Sequence, residues 1–239
     1  TYFGGTEDDH IDDFAINNNN ELVFLAHSRG SSGLATENAE QETSLGFSLI
    51  LGKFDLDGQR IWSTYVDGEK DERYGKLAID INNDIIVAGR TTSMTGISTE
   101  GAYIETNSSQ GDITEGAGQF IAKYSNDGNK IWGTYLDVPI NDLEIGDIRC
   151  IGSSIYYTFT GNESHQNFIV GENPFQPVFN NGEGPGQTDA IILKFSEEGF
   201  PIWGTYFGGN GFEIFPFVVP INGGNQFVVA GATSSSDFY

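Results

Sequence analysis

The sequence predicts an all-β fold, a β-propeller built from four-stranded antiparallel blades, and three observations support this prediction. One thirteen-residue phrase ending in Ile-Trp-(Gly/Ser)-Thr-Tyr occurs at residues 53–65, 123–135 and 194–206. The tail of this phrase also opens the chain at residues 1–5, which makes the period about seventy residues. Each period holds short segments rich in β-branched and aromatic residues, and helical periodicity is missing. A parallel β-helix is the structural alternative, but its coils are shorter and lack hairpin turns.

Each period contains four predicted strands, labelled a to d in chain order. Strand d carries the Ile-Trp phrase, and the other three strands cover the following residues. Strand a is 13–17, 76–80, 148–152 and 215–221; strand b is 22–26, 85–89, 155–159 and 227–231; strand c is 47–54, 120–124 and 190–195. Asn-rich turns join a to b, and Asp-Gly or Glu-Gly turns join c to d. Because Asn, Asp and Gly tolerate positive φ, both connections are predicted to be hairpins.

The repeat boundaries predict a division of the chain into blades. Residues 1–5 are the end of a strand d, 6–68 form the first blade, 69–138 the second, 139–209 the third, and 210–239 strands a and b of a fourth. About 3.5 blades are therefore expected. The fourth blade has no strand c, and natural sheets avoid such open edges, so we expect a part of a larger propeller.

The charge balance argues against two classes of partner. The chain carries 34 acidic against 11 basic residues, a net charge of −23. Nucleic acid is excluded as a predicted partner because phosphate binding needs clustered Lys and Arg. Membrane insertion is not expected either, since no apolar run approaches the roughly 18 residues of a span. The single Cys150 lies in an apolar strand and is predicted to pack in the core.

The repeat resembles a known family. Tyr-Phe-Gly-Gly-x-x-Asp-Asp at residues 2–9 and Val-Ala-Gly-Ala-Thr-Ser-Ser-Ser-Asp-Phe at 229–238 are similar to the SBBP β-propeller repeat, and the resemblance covers essentially the whole chain. It implies a large exported or cell-surface bacterial protein, with adhesive or carbohydrate-related neighbours. The third copy has Leu-Asp-Val-Pro at 136–139 in place of the glycine pair, and the fourth lacks the paired acids.

Two sets of candidate ligand-binding residues follow from the loops. Acidic loops between d and a could collect Ca²⁺, which takes oxygen ligands, or could simply be solvated charge. The candidate metal ligands are Asp8, Asp9, Asp12, Asp13, Asp71 and Glu72. The long b–c loops differ in sequence between repeats and lie opposite the tight turns, where binding residues are usually found. Their aromatic residues, predicted to bind a ligand or partner, are Tyr103, Phe168, Phe175 and Phe179.

Repeated residues are interpreted as packing devices, because a catalytic group is needed once and a packing contact in every blade. Trp62, Trp132 and Trp203 are therefore predicted to pack between blades, and the lysines nine residues before them to lie near turn acids. His10 and His27, like the third histidine, show no metal-ligand spacing and are expected to be ordinary surface or strand residues.

Three functions remain open from the sequence. The first is a non-catalytic propeller module, extracellular or at the cell surface, that binds a glycan, a protein, or the rest of its parent polypeptide through the long-loop face. The second is a carbohydrate-active hydrolase or lyase with carboxylates at the propeller axis, for which Asp71 with Glu72, or Asp142 with Glu144, are candidates. The third is a structural spacer.

Overall fold

A computed structural model describes residues 2–29, 33–108, 117–136, 145–180 and 187–237. The chain divides into two compact units, Thr1–Asn141 and Asp142–Tyr239. The first unit contains β1 (Asp9–Ile16), β2 (Leu22–Ser28), β3 (Ser48–Phe54), β4 (Arg60–Val66), β5 (Glu72–Ile79), β6 (Ile85–Thr91), β7 (Gly118–Tyr124) and β8 (Lys130–Leu136). The second contains β9 (Ile145–Ile151), β10 (Ser154–Gly161), β11 (Asp189–Phe195), β12 (Pro201–Phe207), β13 (Glu213–Ile221) and β14 (Gln226–Thr233), with short 3₁₀ helices at Glu163–Phe168 and Asn222–Gly224.

The predicted all-β class is confirmed. Across the described residues, the strands form three four-stranded sheets, β1–β4, β5–β8 and β9–β12, and one two-stranded sheet, β13–β14. Within each sheet, each strand pairs antiparallel with the next along the chain, which confirms the predicted hairpins. The turn residues adopt positive φ as expected, including Asn20 and Asn83 between a and b, and Gly58 and Gly128 between c and d.

In the first unit, the two sheets pack together through a shared apolar core. Its members come from both sheets, including Leu25 and Leu49 of the first and Leu77 and Val87 of the second, all of them buried. The neighbouring sheets approach closely because Gly75 on β5 has no side chain: an added Cβ would lie 2.2 Å from a Leu25 methyl carbon. Strand β5 therefore lies directly against the first sheet.

The first strand of a repeat is interrupted by a bulge. The register shifts between Arg73 and Lys76 in β5, and between Ile214 and Phe217 in β13. At both bulges a bulky aromatic residue takes positive φ, 56° at Tyr74 and 54° at Phe215. Such bulges re-aim side chains near the end of a strand, and positive φ is unusual for a large residue. The bulge therefore turns the side chain of Tyr74 out of the regular alternation of the strand.

The long b–c loops cover the outer edge of strand d. In the second repeat, Thr134 on β8 accepts a hydrogen bond from the Ile104 backbone N–H at 2.9 Å, and the Tyr135 N–H donates to the Ile104 carbonyl at 3.0 Å. The same contacts occur between the equivalent threonines and the loop residues Gln41 and Gln176 in the other repeats. The loop thus satisfies the backbone groups of an edge strand that would otherwise be open.

Contacts between consecutive repeats involve Trp62, Trp203 and Lys53 of the repeated phrase. The Trp62 indole N–H donates to the Asn126 carbonyl of the next c–d turn at 3.1 Å. The Lys53 ammonium donates to the same carbonyl at 3.0 Å and pairs with Glu21 at 2.9 Å. In the second unit, Trp203 stacks on Phe227 of the following strand b at 5.8 Å between ring centroids. These contacts agree with the packing role predicted for these residues.

Residues 2–5, predicted to end a strand d, lie outside the strands of the structure. Phe3 instead packs edge-on against Phe24, with ring centroids 4.8 Å apart, on the face of the first sheet that points away from the second. Cys150 is partly exposed on β9. Among the described residues, no helix has the length and apolar character needed to cross a bilayer.

Candidate functional site

The paired acids before the first strand do not share a ligand position. Asp8 is exposed, and Asp9 accepts a hydrogen bond from the Gly5 backbone N–H at 2.7 Å through Oδ2. The other carboxylate oxygen of Asp9, Oδ1, is buried and has no hydrogen-bond partner within the described residues. Asp9 is therefore bound by the loop that precedes it, while Asp8 faces solvent.

Asp12 and Asp13 are also engaged by separate protein groups. The carboxylate of Asp12 contacts Nδ1 of His27 at 2.9 Å, and Asp13 accepts a hydrogen bond from the Leu77 N–H of β5 at 3.0 Å. Asp71 accepts from the Phe47 N–H at 3.1 Å. Over the part of the chain that the structure describes, no group of three or more His, Cys, Asp or Glu is placed to hold a metal ion. A calcium site stays a prediction, and these contacts do not support it.

Glu72 forms a buried carboxyl pair with Asp67. Glu72 is fully buried and accepts hydrogen bonds from the hydroxyls of Thr91 and Ser93, both at 2.6 Å, and from the Gly68 N–H at 3.0 Å. Burial, the hydrogen bond to Asp67 and the negative charge of Asp67 together raise the pKa of Glu72 to about 9. This shift favours the protonated form of Glu72 at neutral pH. Asp67 accepts a hydrogen bond from the Leu45 N–H at 3.0 Å through Oδ2, and its buried Oδ1 has no hydrogen-bond partner among the described residues.

An equivalent pair occurs in the second unit, but one carboxylate comes from a different strand. Glu213 accepts from Thr233 at 2.6 Å and from the Gly209 N–H at 3.1 Å, matching the contacts of Glu72. Its partner is Asp189 at the start of β11, and burial is the main cause that raises the pKa of Asp189 to about 6. Gly208 stands where Asp67 stands in the first unit, and a Cβ there would lie 2.2 Å from Oδ1 of Asp189. The two units thus build the same pair from different residues.

These carboxyl pairs are buried, so a sugar substrate could not reach them. Asp67 lies beside Glu72 and contributes to its raised pKa, whereas the acid and base of a glycosidase are about 5 to 9.5 Å apart with the sugar between them. Glu72 is inaccessible and Asp67 is only 3% exposed. Asp142 and Glu144, the other predicted acids, lie outside the described residues. The carboxyl pairs are therefore structural groups at the packed boundary between sheets.

A second cluster, the histidine–arginine cluster, lies in the first unit, at the end of the sheets where the b–c loop of the first repeat begins and ends. We define it by residues on β1, β2, β5 and β6 and at the ends of β2 and β3. Its members are His10, Asp12, His27, Arg29, Phe47, Arg73, Tyr74 and Arg90.

Asp12 and His27 form the core of one half of the cluster. Both carboxylate oxygens of Asp12 lie 2.9 Å from Nδ1 of His27, and both side chains are largely buried. This contact orients the ring and leaves Nε2 for a partner outside the pair. His10, the cross-strand neighbour of His27, stacks on it with centroids 4.9 Å apart. Tyr74 packs edge-on against the same imidazole at 5.9 Å.

Three arginines form the other half of the cluster. The Arg73 guanidinium lies 3.4 Å from the centroid of the Phe47 ring, and that of Arg29 lies 4.5 Å from the same ring. Arg90 pairs across the strands with Arg73 and lies 5.3 Å from the ring of Tyr74. The aromatic faces hold these stacked guanidinium groups flat. Tyr74 connects the two halves, because it contacts both His27 and Arg90.

Within the described residues, the cluster is not repeated in the second unit. His10 pairs with His27 at the second position of the β1–β2 ladder. Arg73 pairs with Arg90 at the same position of the β5–β6 ladder, so the two pairs are equivalent. At the corresponding pair of the fourth repeat the structure has Ile214 and Ala232. A group that occurs once in a repeat protein is a better functional candidate than one that every repeat carries.

Comparisons with known proteins give no relative for this chain. No protein-family model matches it, and no curated protein is similar to it at a significant level. The resemblance to the SBBP repeat therefore stays a proposal.

The four loop aromatics predicted to bind a partner have different surroundings. Phe168 is fully buried and Phe179 is 8% exposed, with its ring against Tyr206. Tyr103 is partly buried, and this burial raises its pKa. Phe175 is 65% exposed. Phe175 is thus the member of this set that presents most of its ring to a ligand, while Phe168 packs the loop onto the sheet.

Sequence reasoning missed the histidine–arginine cluster because it considered each histidine singly. The signal that could have found it is positional: His27 and Arg90 both lie one residue before the end of strand b. Aligning the repeats at that position would have shown a basic residue at the same end of strand b in two successive repeats. The third histidine, His165, is buried in a 3₁₀ helix, and its Nδ1 accepts a hydrogen bond from the Asn162 N–H at 3.0 Å.

Proposed function

We propose that this chain is a non-catalytic β-propeller repeat module of an exported or cell-surface bacterial protein, related to the SBBP repeat, in which each sheet is one blade. Three features support this proposal. The same order of four strands occurs in three sheets, the fourth sheet begins in the same way, and the first strand of β5–β8 packs against the preceding sheet. Sheets that repeat in this order and pack face to face within a unit are typical of propeller blades.

The two ends of each sheet differ, and this difference supports a binding function. At one end, two-residue to five-residue turns join a to b and c to d; at the other, the b–c loop of the first repeat alone spans residues 29–47. The single observation that carries the proposal is that the unrepeated histidine–arginine cluster lies at this long-loop end. Binding residues are concentrated on loops held by a rigid scaffold. The proposed ligand or partner is a glycan, a protein or a neighbouring domain.

One observation favours the enzyme as a second candidate. The Asp12–His27 contact is the arrangement by which a carboxylate orients a histidine that acts as a general base or acid. A carbohydrate-active hydrolase or lyase would use it beside the arginines. A spacer is the third candidate, and it requires no ligand.

One experiment separates the three candidates. The full chain is captured on a biosensor, presented with a panel of neutral and acidic polysaccharides, and each mixture is then assayed for newly formed reducing ends. We expect reversible binding without product. Product formation would establish the enzyme, and failure to bind any polymer would contradict the glycan-binding form of the proposal and favour the spacer.

Matched variants test the long-loop end. Phe175→Ala removes an exposed apolar side chain from the b–c loop of the third repeat, and Leu56→Ala removes one from the c–d turn of the first repeat. We expect Leu56→Ala to leave binding unchanged. Weaker binding by Phe175→Ala would show that the third repeat takes part. Loss of binding in Leu56→Ala would contradict the proposed orientation.

The blade arrangement is tested by an experimental structure of the chain. A propeller requires consecutive sheets to be related by rotation about one common axis. Sheets stacked along a line, as in a β-helix, would contradict the proposal.

A further inference from the structure

We infer that the histidine–arginine cluster is a binding site for a carboxylate group of an acidic saccharide. This inference depends on the proposed binding function, because it names the ligand class of the same long-loop end.

The distribution of arginine is the first observation that carries the inference. The chain contains five arginines and 34 acidic residues. Three of those five, Arg29, Arg73 and Arg90, surround the rings of Phe47 and Tyr74. In a protein with a net charge of −23, most of the surface repels an anion. The cluster is the place where the described residues concentrate positive charge.

The geometry of Arg73 is the second observation. Its guanidinium is stacked on Phe47 at 3.4 Å, and its Nε is buried with no hydrogen-bond partner among the described residues. The nearest acid, Asp71, is 4.0 Å away and bonds the Phe47 N–H through its other oxygen. Arg73 is therefore held in place by packing and is not fully satisfied by protein acceptors. A planar carboxylate fits a fixed guanidinium edge with two parallel hydrogen bonds.

The charges around the cluster favour a ligand group with one negative charge. Asp12 of the cluster and Asp71, which lies 4.0 Å from Arg73, offset part of the charge of the three arginines. A doubly charged phosphate would meet more repulsion from these carboxylates than a carboxylate would. His10 and His27 add ring nitrogens that can donate or accept hydrogen bonds with hydroxyl groups beside the carboxylate. A uronic acid carries both kinds of group.

The test uses the full chain and three probes in binding titrations: polygalacturonate, galacturonic acid and neutral dextran. The variants are Arg29→Gln, Arg73→Gln and the double variant. Arg149→Gln is the matched control, because Arg149 is partly exposed and pairs with Asp147 in the other unit. Near-ultraviolet circular dichroism establishes that each variant keeps its packing.

We expect the wild type and Arg149→Gln to bind the acidic probe equally, and the double variant to bind about tenfold or more weakly, since each arginine loses a charge-assisted hydrogen bond. Arg29→Gln changes an exposed side chain, so that it tests the site even if Arg73→Gln disturbs the fold. Binding of the monomer identifies a site for a free acid, and binding of the polymer alone identifies a site for a chain.

Equal binding by the wild type and the double variant would overturn the inference, as would an equal loss in Arg149→Gln. Binding to dextran alone would also overturn it while leaving the proposed binding function intact. Failure to bind any of the three probes would overturn the inference and the glycan-binding form of the proposed function.

Discussion

Glu72 shows how a single residue can depend on its surroundings for its charge. It has no solvent exposure, its oxygens accept hydrogen bonds from Thr91, Ser93 and Gly68, and Asp67 lies beside it. Two adjacent carboxylates in a buried site cannot both ionise at low cost, so one keeps its proton. The same solution appears with Glu213 and Asp189 in the second unit, which indicates that the pair is required by packing and not by one particular side chain.

This protonation predicts a pH-dependent stability that Glu72→Gln should remove. The folded protein holds the proton of Glu72 up to about pH 9, whereas the unfolded chain releases it near the ordinary glutamate pKa of 4.5. Between these values the folded state binds more protons, so the stabilising contribution of Glu72 falls as pH rises, by at most about 1.4 kcal/mol per pH unit. Urea unfolding of the wild type and Glu72→Gln at pH 5, 6.5 and 8 should show their free energies converging or crossing as pH increases.

Glu21→Gln is the control for this measurement. Hydrogen bonds from Asn17 and Lys53 lower the pKa of Glu21, so its contribution is already complete at pH 5 and is lost only as pH falls further. Its difference from the wild type should therefore be constant from pH 5 to 8. A constant difference for Glu72→Gln over the same range would show that Glu72 is ionised in the folded protein.

At the scale of elements, the b–c loops pack along the outer edge of strand d and hydrogen-bond to it. Thr134 accepts from the Ile104 N–H at 2.9 Å and donates to the Ile104 carbonyl at 3.3 Å. The preceding Gly133 leaves room for the loop, since a Cβ there would lie 2.3 Å from the Ile97 carbonyl oxygen. In the first repeat Ser63 takes this place and donates its hydroxyl to the Leu34 carbonyl at 2.6 Å. These contacts explain the Gly/Ser-Thr-Tyr part of the repeated phrase.

Thr134→Val is predicted to release the loop of the second repeat. Valine keeps the shape of threonine but leaves the Ile104 N–H without its acceptor in a buried setting, which costs about 1–3 kcal/mol. Hydrogen exchange should show faster exchange at Ile104 and Tyr135, with a smaller free energy of unfolding in urea. Thr134→Ser keeps the hydroxyl and should retain most of the protection. Equal protection in Thr134→Val and the wild type would mean that the loop is held by other contacts.

At the scale of the whole molecule, the net charge of −23 is the dominant electrostatic fact. Such a charge destabilises the compact state by self-repulsion, and any added salt reduces this effect. A cation can therefore raise the melting midpoint without occupying a site. Screening has to be separated from binding before calcium is assigned to the acidic loops.

We predict that millimolar Ca²⁺ raises the midpoint of thermal unfolding no more than NaCl of equal ionic strength does, measured against a sample with EDTA. The reason is that Asp9, Asp12 and Asp13 are already engaged by Gly5, His27 and Leu77 and do not converge. A ligand bound only by the folded state must raise the midpoint. A calcium-specific rise that Asp8→Asn with Asp9→Asn abolishes would contradict this prediction and establish a cation site.

Local features of the sequence predicted the strands, the hairpins and their repetition. Alternation along a strand and turn residues such as Asn83 and Gly128 act over a few positions, so they can be recognised without a fold. The packing role of Trp62 followed from its repetition alone. The candidate site could not be predicted in this way, because Asp12, His27 and Tyr74 belong to three strands and their order in the chain does not show that they meet.

Tertiary structure decided which of the predicted loop residues are accessible and which acids interact. Phe168 is buried because its loop folds back over strand d, and Asp67 meets Glu72 because the two sheets of the first unit pack closely. The sequence by itself therefore determined the repeat, the all-β class and the excess of negative charge. The histidine–arginine cluster and the Asp189–Glu213 pair were decided by contacts between segments that are distant in the chain, and the Asp67–Glu72 pair by burial where two sheets meet. The free energies of these contacts depend on burial and distance, which the order of residues does not show.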